Sequence, residues 1–349
     1  MRIISTGILL LAISLVARVE SELPPSATKV LEAPLFSTDS CLSLSLECDF
    51  RFITRNMETD TLEHPGILRY TDENGIVHAL DVKIEVRGHF RRSRDNCNFP
   101  PLRILFRKKQ VQGTVFAGQS KLKLVTHCRT RQKYCEQNLL QEFIIYRMYN
   151  ELTDLSYRVR LTQIHYINNT GRRDTIEKYA FFLEDRDQLL KRTHTRHIEV
   201  QNVHPDATDS AHVNMLSVFQ YMIGNTDWSI PALHNITLVE KLPSGPMYAI
   251  PFDFEWAGLI NARYAKPQPM LGISSVRQRL FRGYCRSPEE FEATFRLFRE
   301  KRLQLNAILK NTCALEGKVR AQALGYLDEF YEIIDNPARV KREFLNPCR

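Results

Sequence analysis

The chain lacks most of the signatures that assign chemistry at sight. Its eight cysteines include no C-x-x-C pair, which removes zinc ribbons and thioredoxin-like redox centres from consideration. No G-x-S-x-G is present, so there is no nucleophile elbow. His194 and His197 have neither the spacing nor the intervening Glu of a metalloprotease pair. No block of five or six like charges occurs, and the aromatic residues do not interleave with a basic stripe. The net charge of +8 is therefore too diffuse to argue for nucleic acid, although it suits acidic or phosphorylated ligands. Beyond the N-terminus no run approaches 18 apolar residues, and no internal repeat is visible.

What remains is an ordinary globular composition: 349 residues, 43% hydrophobic and 25% charged, enough for two domains or lobes with a sizeable core. Residues 1–21 read as a secretory signal, with Met1-Arg2 as a minimal basic start and Ile3 to Val16 as the apolar region. Val19-Glu20-Ser21 supplies small-enough residues for cleavage; the other reading is a short uncleaved anchor. Secretion favours disulfides among Cys41, Cys48, Cys97, Cys128, Cys135, Cys285, Cys313 and Cys348. Cys41 and Cys48 flank an alternating strand that holds them over ~20 Å apart, so each pairs elsewhere. Cys128 and Cys135 flank a polar loop able to double back and form the best local pair.

Residues 22–40 carry Pro24, Pro25 and Pro34 and read as a linker. Alternation then gives strands around Leu42–Leu46, Val82–Val86, Leu102–Phe106 and Leu122–Leu124. A helix at 136–152 follows, then strands at Val159–Leu161, Ile164–Ile167 and Tyr179–Leu183. The chain turns polar from about Leu189, the expected junction (189–212) between a β-rich N-lobe (41–188) and a mainly helical C-lobe (213–349). Ser287-Pro288-Glu289-Glu290 starts one long helix, and another runs from about Leu315 to Ile334. The expected fold class is α+β.

The stretch Phe219–Leu259 concentrates the chemistry. A helix pattern stops at Gly224; a polar loop carries Asp227 and Asn235; a hairpin turning at Pro243-Ser244-Gly245-Pro246 delivers Asp253 and Glu255. Two acids and an amide of this kind suit a hard divalent cation that keeps positions open for phosphate oxygens. Lys121 and Lys123 share one face of their strand. Either reaches phosphates if the strand faces a site, with Glu142 as its ion-pair partner; the other reading is two solvated lysines on an edge strand. Arg87, Arg91 and Arg92 form a phosphate clamp or a solvated basic loop. Asn168 and Asn235 head glycosylation sequons, and a glycan on Asn235 competes with its use as a metal ligand.

Between about Val82 and Gly258 the motif order resembles the spore-coat CotH kinase family. Its R-G loop is similar to Arg87-Gly88, its turn and G-x-Y-x-L-x-E segment to Ile164–Gly171 and Tyr179–Glu184, and its D…N and D-x-D elements to Asp227, Asn235 and Asp253-Phe254-Glu255. Ala117-Gly118-Gln119-Ser120-Lys121 is more loosely similar to HipA-like kinases. The resemblance implies a two-lobed protein-kinase-like fold with ATP and Mg²⁺ or Mn²⁺ between the lobes, and transfer to a protein Ser/Thr hydroxyl. It has Asp227 accept the hydroxyl proton or orient the nucleophile, and gives the metal to Asn235 and Asp253, with Glu255 as a further ligand. Lys121, Lys123, Glu142, Arg87 and Glu184 go to the nucleotide. Three departures (His89-Phe90 after the R-G, Trp228 after Asp227, and Glu255 for the second Asp) support a second expectation: an inactive kinase-fold binding or coat protein. For the enzymatic reading Asp227, Asn235 and Asp253 are expected to converge within ~8 Å in an interlobe cleft, as one or two shared cations would require.

Overall fold

Alternating apolar residues build a seven-stranded barrel rather than an open sheet. In the computed structural model, which describes residues 33–171, 174–204 and 207–348, the strands are β1 (Leu42–Cys48), β2 (His64–Thr71), β3 (Val77–Val86), β4 (Leu102–Phe106), β5 (Lys121–Val125), β6 (Val159–Asn168) and β7 (Thr175–Leu183). They run in the order β1-β2-β3-β4-β5-β7-β6 and close where β1 pairs with β6, the one parallel pairing. Closure removes both sheet edges. Lys121 and Lys123 thus lie on an interior strand, hydrogen-bonded to β4 and β7, and not on an edge.

The period of two sorts the side chains. Leu44, Leu46, Ile84, Leu102, Ile104, Leu122, Leu124, Ile164, Tyr166 and Phe182 point inward and form the barrel core. Each such side chain contributes about 1.5–3 kcal/mol by burial. Val159, Leu161, Phe181 and Leu183 occupy the opposite phase and pack outward, into a second core shared with the helices. The helix α2 (Lys133–Leu152) lies on this outer face of β6 and β7 and also meets α5 (Pro288–Asn311).

The other elements include α1 (Phe50–Asn56), α3 (Arg186–Thr193), α4 (Ser210–Ile223), α6 (Gly317–Ile334), a short C-terminal helix α7 (Pro337–Val340) and a three-stranded sheet of β8 (Thr195–Ile198), β9 (Ile236–Lys241) and β10 (Met247–Pro251). The expected start of α5 takes the form of a full capping box between Ser287 and Glu290, with Pro288 in the first turn. The alternation missed β2 and α1, and the polar junction holds α3 and β8.

The signal reading at residues 1–21 lies outside the described residues, as does most of the expected linker. Its described end is not a linker: Leu35 and Phe36 are buried against the barrel core, and Arg160 donates to the carbonyls of Leu35 and Thr38 at 3.1 and 2.7 Å. No helix of the described residues is long and apolar enough to cross a membrane.

The disulfide expectation needs correction. Cys128 bonds to Cys97, and Cys285 to Cys348, with Cα separations of 4.7 and 4.8 Å. Cys135 belongs to the first turn of α2 and keeps a free thiol. The Cys128 carbonyl instead accepts the Asn98 and Phe99 N–H groups at 2.9 and 3.2 Å, which brings the Cys97 segment alongside. Cys41 and Cys48 are not joined to each other; both are free.

Candidate active site

Asp227, Asn235 and Asp253 are delivered to one place by backbone that few residues tolerate. Helix α4 ends at Gly224, whose φ of 66° lets its N–H close the last turn. A Cβ there would lie 2.1 Å from the Tyr326 hydroxyl oxygen, so the position needs glycine for space as well as for φ. In the loop that follows, Asn225 accepts the Asp227 N–H at 3.0 Å. Asn235, at φ 53°, donates its amide nitrogen to the Asp227 carbonyl at 2.8 Å and to its carboxylate at 3.1 Å. His234 meets the other carboxylate oxygen at 2.8 Å. Both hydrogens of the Asn235 amide are therefore engaged, and its Oδ1 accepts no hydrogen bond from the described residues.

The hairpin of β9 and β10 returns the chain to the same loop, where the Phe252 N–H donates to the Asn235 carbonyl at 3.0 Å. Asp253 sits at φ 61°, a conformation costly for a non-glycine residue and concentrated at functional sites. Its N–H donates to the Tyr146 hydroxyl of α2 at 2.8 Å. Phe254 is buried between Tyr146 and Phe219, ring centroids 4.8 and 6.0 Å away. With that ring fixed inward, Asp253 and Glu255 are turned toward open space. Gly258 and Leu259 then donate to the carbonyls of Gly224 and Ile223 at 3.1 and 2.9 Å. The two acid-bearing segments are thus zipped together at their bases.

The space they face is a cavity of about 520 Å³ lined by acids and cations together: Asp227, Asn235, Asp253, Glu255 and Glu142, with Arg87, Arg91, Lys123 and Lys266. Asp253 is open to the cavity, yet protein surrounds it on most sides; that burial raises its pKa, while Arg87 and Arg91 pull it back. Glu142, only 5% exposed, is raised well above the ordinary range by burial and then by the charges of Asp253 and Glu255. Burial and Asp253 likewise push Glu255 up to about 7, against Arg91 and the Tyr264 hydroxyl that donates to it at 3.0 Å. Burial, with Arg87 and Arg103 nearby, brings Lys123 down to about 8. A site with this many buried like charges is poised for a ligand carrying both signs.

Not every expected residue belongs here. Lys123 lines the cavity and lies over the Phe252 ring at 5.7 Å. Its expected pairing with Glu142 is not among the ion pairs of the described residues; Glu142 faces the acids and arginines instead. Lys121 is outside the cavity lining, 3.8 Å from both Asp185 and Asp187. Glu184 is buried beneath Arg192, which binds both of its oxygens at 3.0 and 2.9 Å, so its carboxylate is already committed. Arg92 points away and donates to the carbonyls of Met57, Glu58 and Asp60. Arg91 turns inward, bonding the Thr126 carbonyl, with its guanidinium 3.9 Å from Glu255.

Four participants were missed: His234, Lys266, Tyr146 and Tyr264. Tyr146 was legible in principle, being four residues after Glu142 and so on the same helical face. Neither sequon has a free amide in the folded chain, since Asn235 holds Asp227 and Asn168 donates to the Thr170 carbonyl.

Among the described residues no three His, Cys, Asp or Glu side chains form a ready metal cage. The donors that do converge are all oxygens: the Asp227 and Asp253 carboxylates and the Asn235 Oδ1. This set fits a hard cation held by one or two carboxylates and completed by phosphate oxygens, as is usual for Mg²⁺.

No protein-family model matches the chain, and no curated protein matches it, so membership of the CotH family is not shown. The solved structures that align with the chain include two at low identity. One is the Helicobacter pylori proinflammatory kinase CtkA (10% identity, TM-score 0.37, covering 66% of this chain and 90% of that one). The other is the golgi casein kinase (9% identity, TM-score 0.29, covering 81% and 75%). Both alignments are shallow, and the chemistry of the cavity stands on its own residues.

Proposed function

We propose that the cavity is a phosphoryl-transfer site that takes a nucleoside triphosphate with Mg²⁺ or Mn²⁺ and passes a phosphoryl group to a protein Ser/Thr hydroxyl. The chain would then be an exported kinase of CotH-like type. The observation that carries this reading is the facing of two oxygen-bearing segments, around Asp227–Asn235 and around Asp253, by the cations Arg87 and Lys123 across one cavity. Its volume falls within the range of small-molecule sites. The two disulfides suit an oxidising compartment.

Each residue then has a role that its contacts permit. Asp227, fixed by His234 and the Asn235 amide, accepts the hydroxyl proton. Asn235 Oδ1 and the Asp253 carboxylate would hold the cation, which supplies charge neutralisation for phosphate oxygens. Arg87 and Lys123 orient the phosphates from the barrel side, and an anion there offsets the burial cost of the Lys123 charge. Glu255 is a weaker ligand than its spacing implies, because Tyr264 and Arg91 occupy it. Placement and charge do the work, since this chemistry leaves little covalent work to the protein.

The test separates binding from turnover. Mn-ATP is expected to raise the thermal midpoint of the wild type and to leave that of Asp253→Ala unmoved. Asp227→Ala is expected to keep the shift and lose phosphate transfer to a hydroxyl substrate. A shift indifferent to Asp253→Ala removes the reading and leaves a binding protein of another kind.

A further inference from the structure

The fold brings together two thiols that no disulfide of the structure uses. Cys41 stands immediately before β1, whose parallel register sets Leu42 against Thr162 and Ser43 against Gln163. Across the next strand, Gln163 faces Tyr179. The Gln163 backbone also hydrogen-bonds the Cys41 sulfur, which brings Cys41 to the corner of the barrel beside Tyr179. Its own segment is pinned there by Arg160, which donates to the Thr38 carbonyl at 2.7 Å and to the Ser40 hydroxyl at 3.1 Å. Arg147 of α2 adds a 2.6 Å bond to Asp39.

Cys313 reaches the same corner from the other end of the chain. It lies in the turn between α5 and α6, and that turn is hooked to α2. Gln137 donates to the Ala314 carbonyl at 3.0 Å and accepts the Glu316 N–H at 2.8 Å. The neighbouring Glu136 accepts the Tyr179 N–H at 2.8 Å, so the hook and the barrel corner share adjacent residues of α2. Both thiols bear on the Tyr179 phenol. Burial first, and then the Cys313 thiol beside it, push Cys41 up to about 11.

We propose that Cys41 and Cys313 form a third disulfide, which ties the first barrel strand to the α5–α6 turn. The chain already closes two bridges, so it matures where thiol–disulfide exchange proceeds. The oxidant is a disulfide RS–SR, carried by a small thiol or by an oxidoreductase. Cys313 is exposed and reacts first: its thiolate attacks RS–SR, forming Cys313–S–SR and releasing RS⁻. Cys41 then gives up its proton and attacks the Cys313 sulfur, forming the bridge and releasing the second RS⁻. Two thiols are oxidised, and one disulfide is reduced to two RSH. Neither cysteine lines the cavity, so the bridge is independent of the phosphoryl-transfer reading.

The experiment uses the full chain made through an oxidising secretory route. It is denatured with N-ethylmaleimide, digested without reductant and read by mass spectrometry. The expected result is a Cys41–Cys313 linked peptide and two alkylated thiols, Cys48 and Cys135. Alkylation of both Cys41 and Cys313, or either one linked to a different cysteine, overturns the proposal. As a second readout, Cys41→Ser and Cys313→Ser are each expected to lower the thermal midpoint by roughly 4–7 °C. The double variant should fall no further than either single one, and reductant should erase the difference from wild type. Additive losses, or no loss, count against the bridge.

Discussion

Gly224→Ala tests whether the two halves of the site are held together as described. Three costs add at this position. The φ of 66° is unfavourable for any residue with a Cβ, at about 1 kcal/mol. The new methyl would stand 2.1 Å from the Tyr326 hydroxyl and 3.3 Å from the Gly258 Cα, so Tyr326 must move. That movement breaks its 3.1 Å bond to the Arg277 carbonyl, worth about 1 kcal/mol, and adds overpacking of about 1–3 kcal/mol. The sum is roughly 3–5 kcal/mol. For a chain of this size the unfolding entropy is roughly 0.7 kcal/mol/K, so the midpoint should fall by about 4–7 °C in a calorimetric scan. Gly113→Ala is the control: its φ is 70° but nothing lies within 4 Å of the added carbon, so only the backbone cost of about 1 kcal/mol applies. Removing the obstructing hydroxyl should rescue the variant, because in Gly224→Ala/Tyr326→Phe the nearest remaining ring atom is the Cζ at 3.2 Å. The double variant keeps the backbone cost and still lacks the Arg277 bond, so it should recover only the overpacking, about 1–3 kcal/mol, a coupling of about 2–4 kcal/mol against the two single losses. A Gly224→Ala midpoint no lower than that of Gly113→Ala, or strictly additive single effects, refutes the account of a site zipped at its base.

The titrating groups give further expectations. Glu255 has a folded pKa of about 7, raised above its ordinary value, so the stability tied to its protonated form is present in full at low pH and lost as pH rises through about 7. Glu255→Gln should flatten the midpoint profile between about pH 4.5 and 7; an unchanged profile means the carboxylate is solvated. Lys123, lowered to about 8, binds fewer protons folded than unfolded above that pH, so its burial cost fades as pH climbs from about 8 toward its ordinary range. Lys123→Met should therefore raise the midpoint of the free protein at pH 7 while abolishing the Mn-ATP shift, and the wild-type shift should shrink above about pH 8; a variant that still binds Mn-ATP argues against a phosphate role. Asp227→Asn should keep its hydrogen bond with Asn235 and lose about 10²–10⁴-fold in transfer rate, measured with labelled ATP; full activity would assign the proton elsewhere.

The strands and long helices were legible because each obeys one period. Leu102–Phe106 alternates, and Ser287–Glu290 announces its helix by capping, whereas Met247–Pro251 is a short apolar run marked by the turn before it. The barrel closure was not legible, since nothing local in Leu42–Cys48 says that its partner is β6. The same reason decides which of the expected residues meet at the cavity. Asp227, Asn235 and Asp253 cluster within about 41 residues of sequence that read as one unit, and the fold does bring them to one cavity. Glu184 and Lys121 depended on partners placed by tertiary contacts, Arg192 for the first and the start of α3 for the second. Cys128 found Cys97 rather than Cys135 because strand-like backbone pairing won over proximity in sequence.

The parallel seam between β1 and β6 sets an order on biogenesis. The opening strand has β2 as its early antiparallel neighbour, but its other side stays bare until more than a hundred further residues exist, as far as Asn168. A chain emerging from a ribosome or a translocon would hold that bare edge for several seconds at ordinary synthesis rates. Such an edge recruits whatever strand arrives first, including one from a neighbouring nascent copy. Yield from a recombinant host should accordingly depend on how crowded the nascent chains are, well before any property of the finished cavity comes into play.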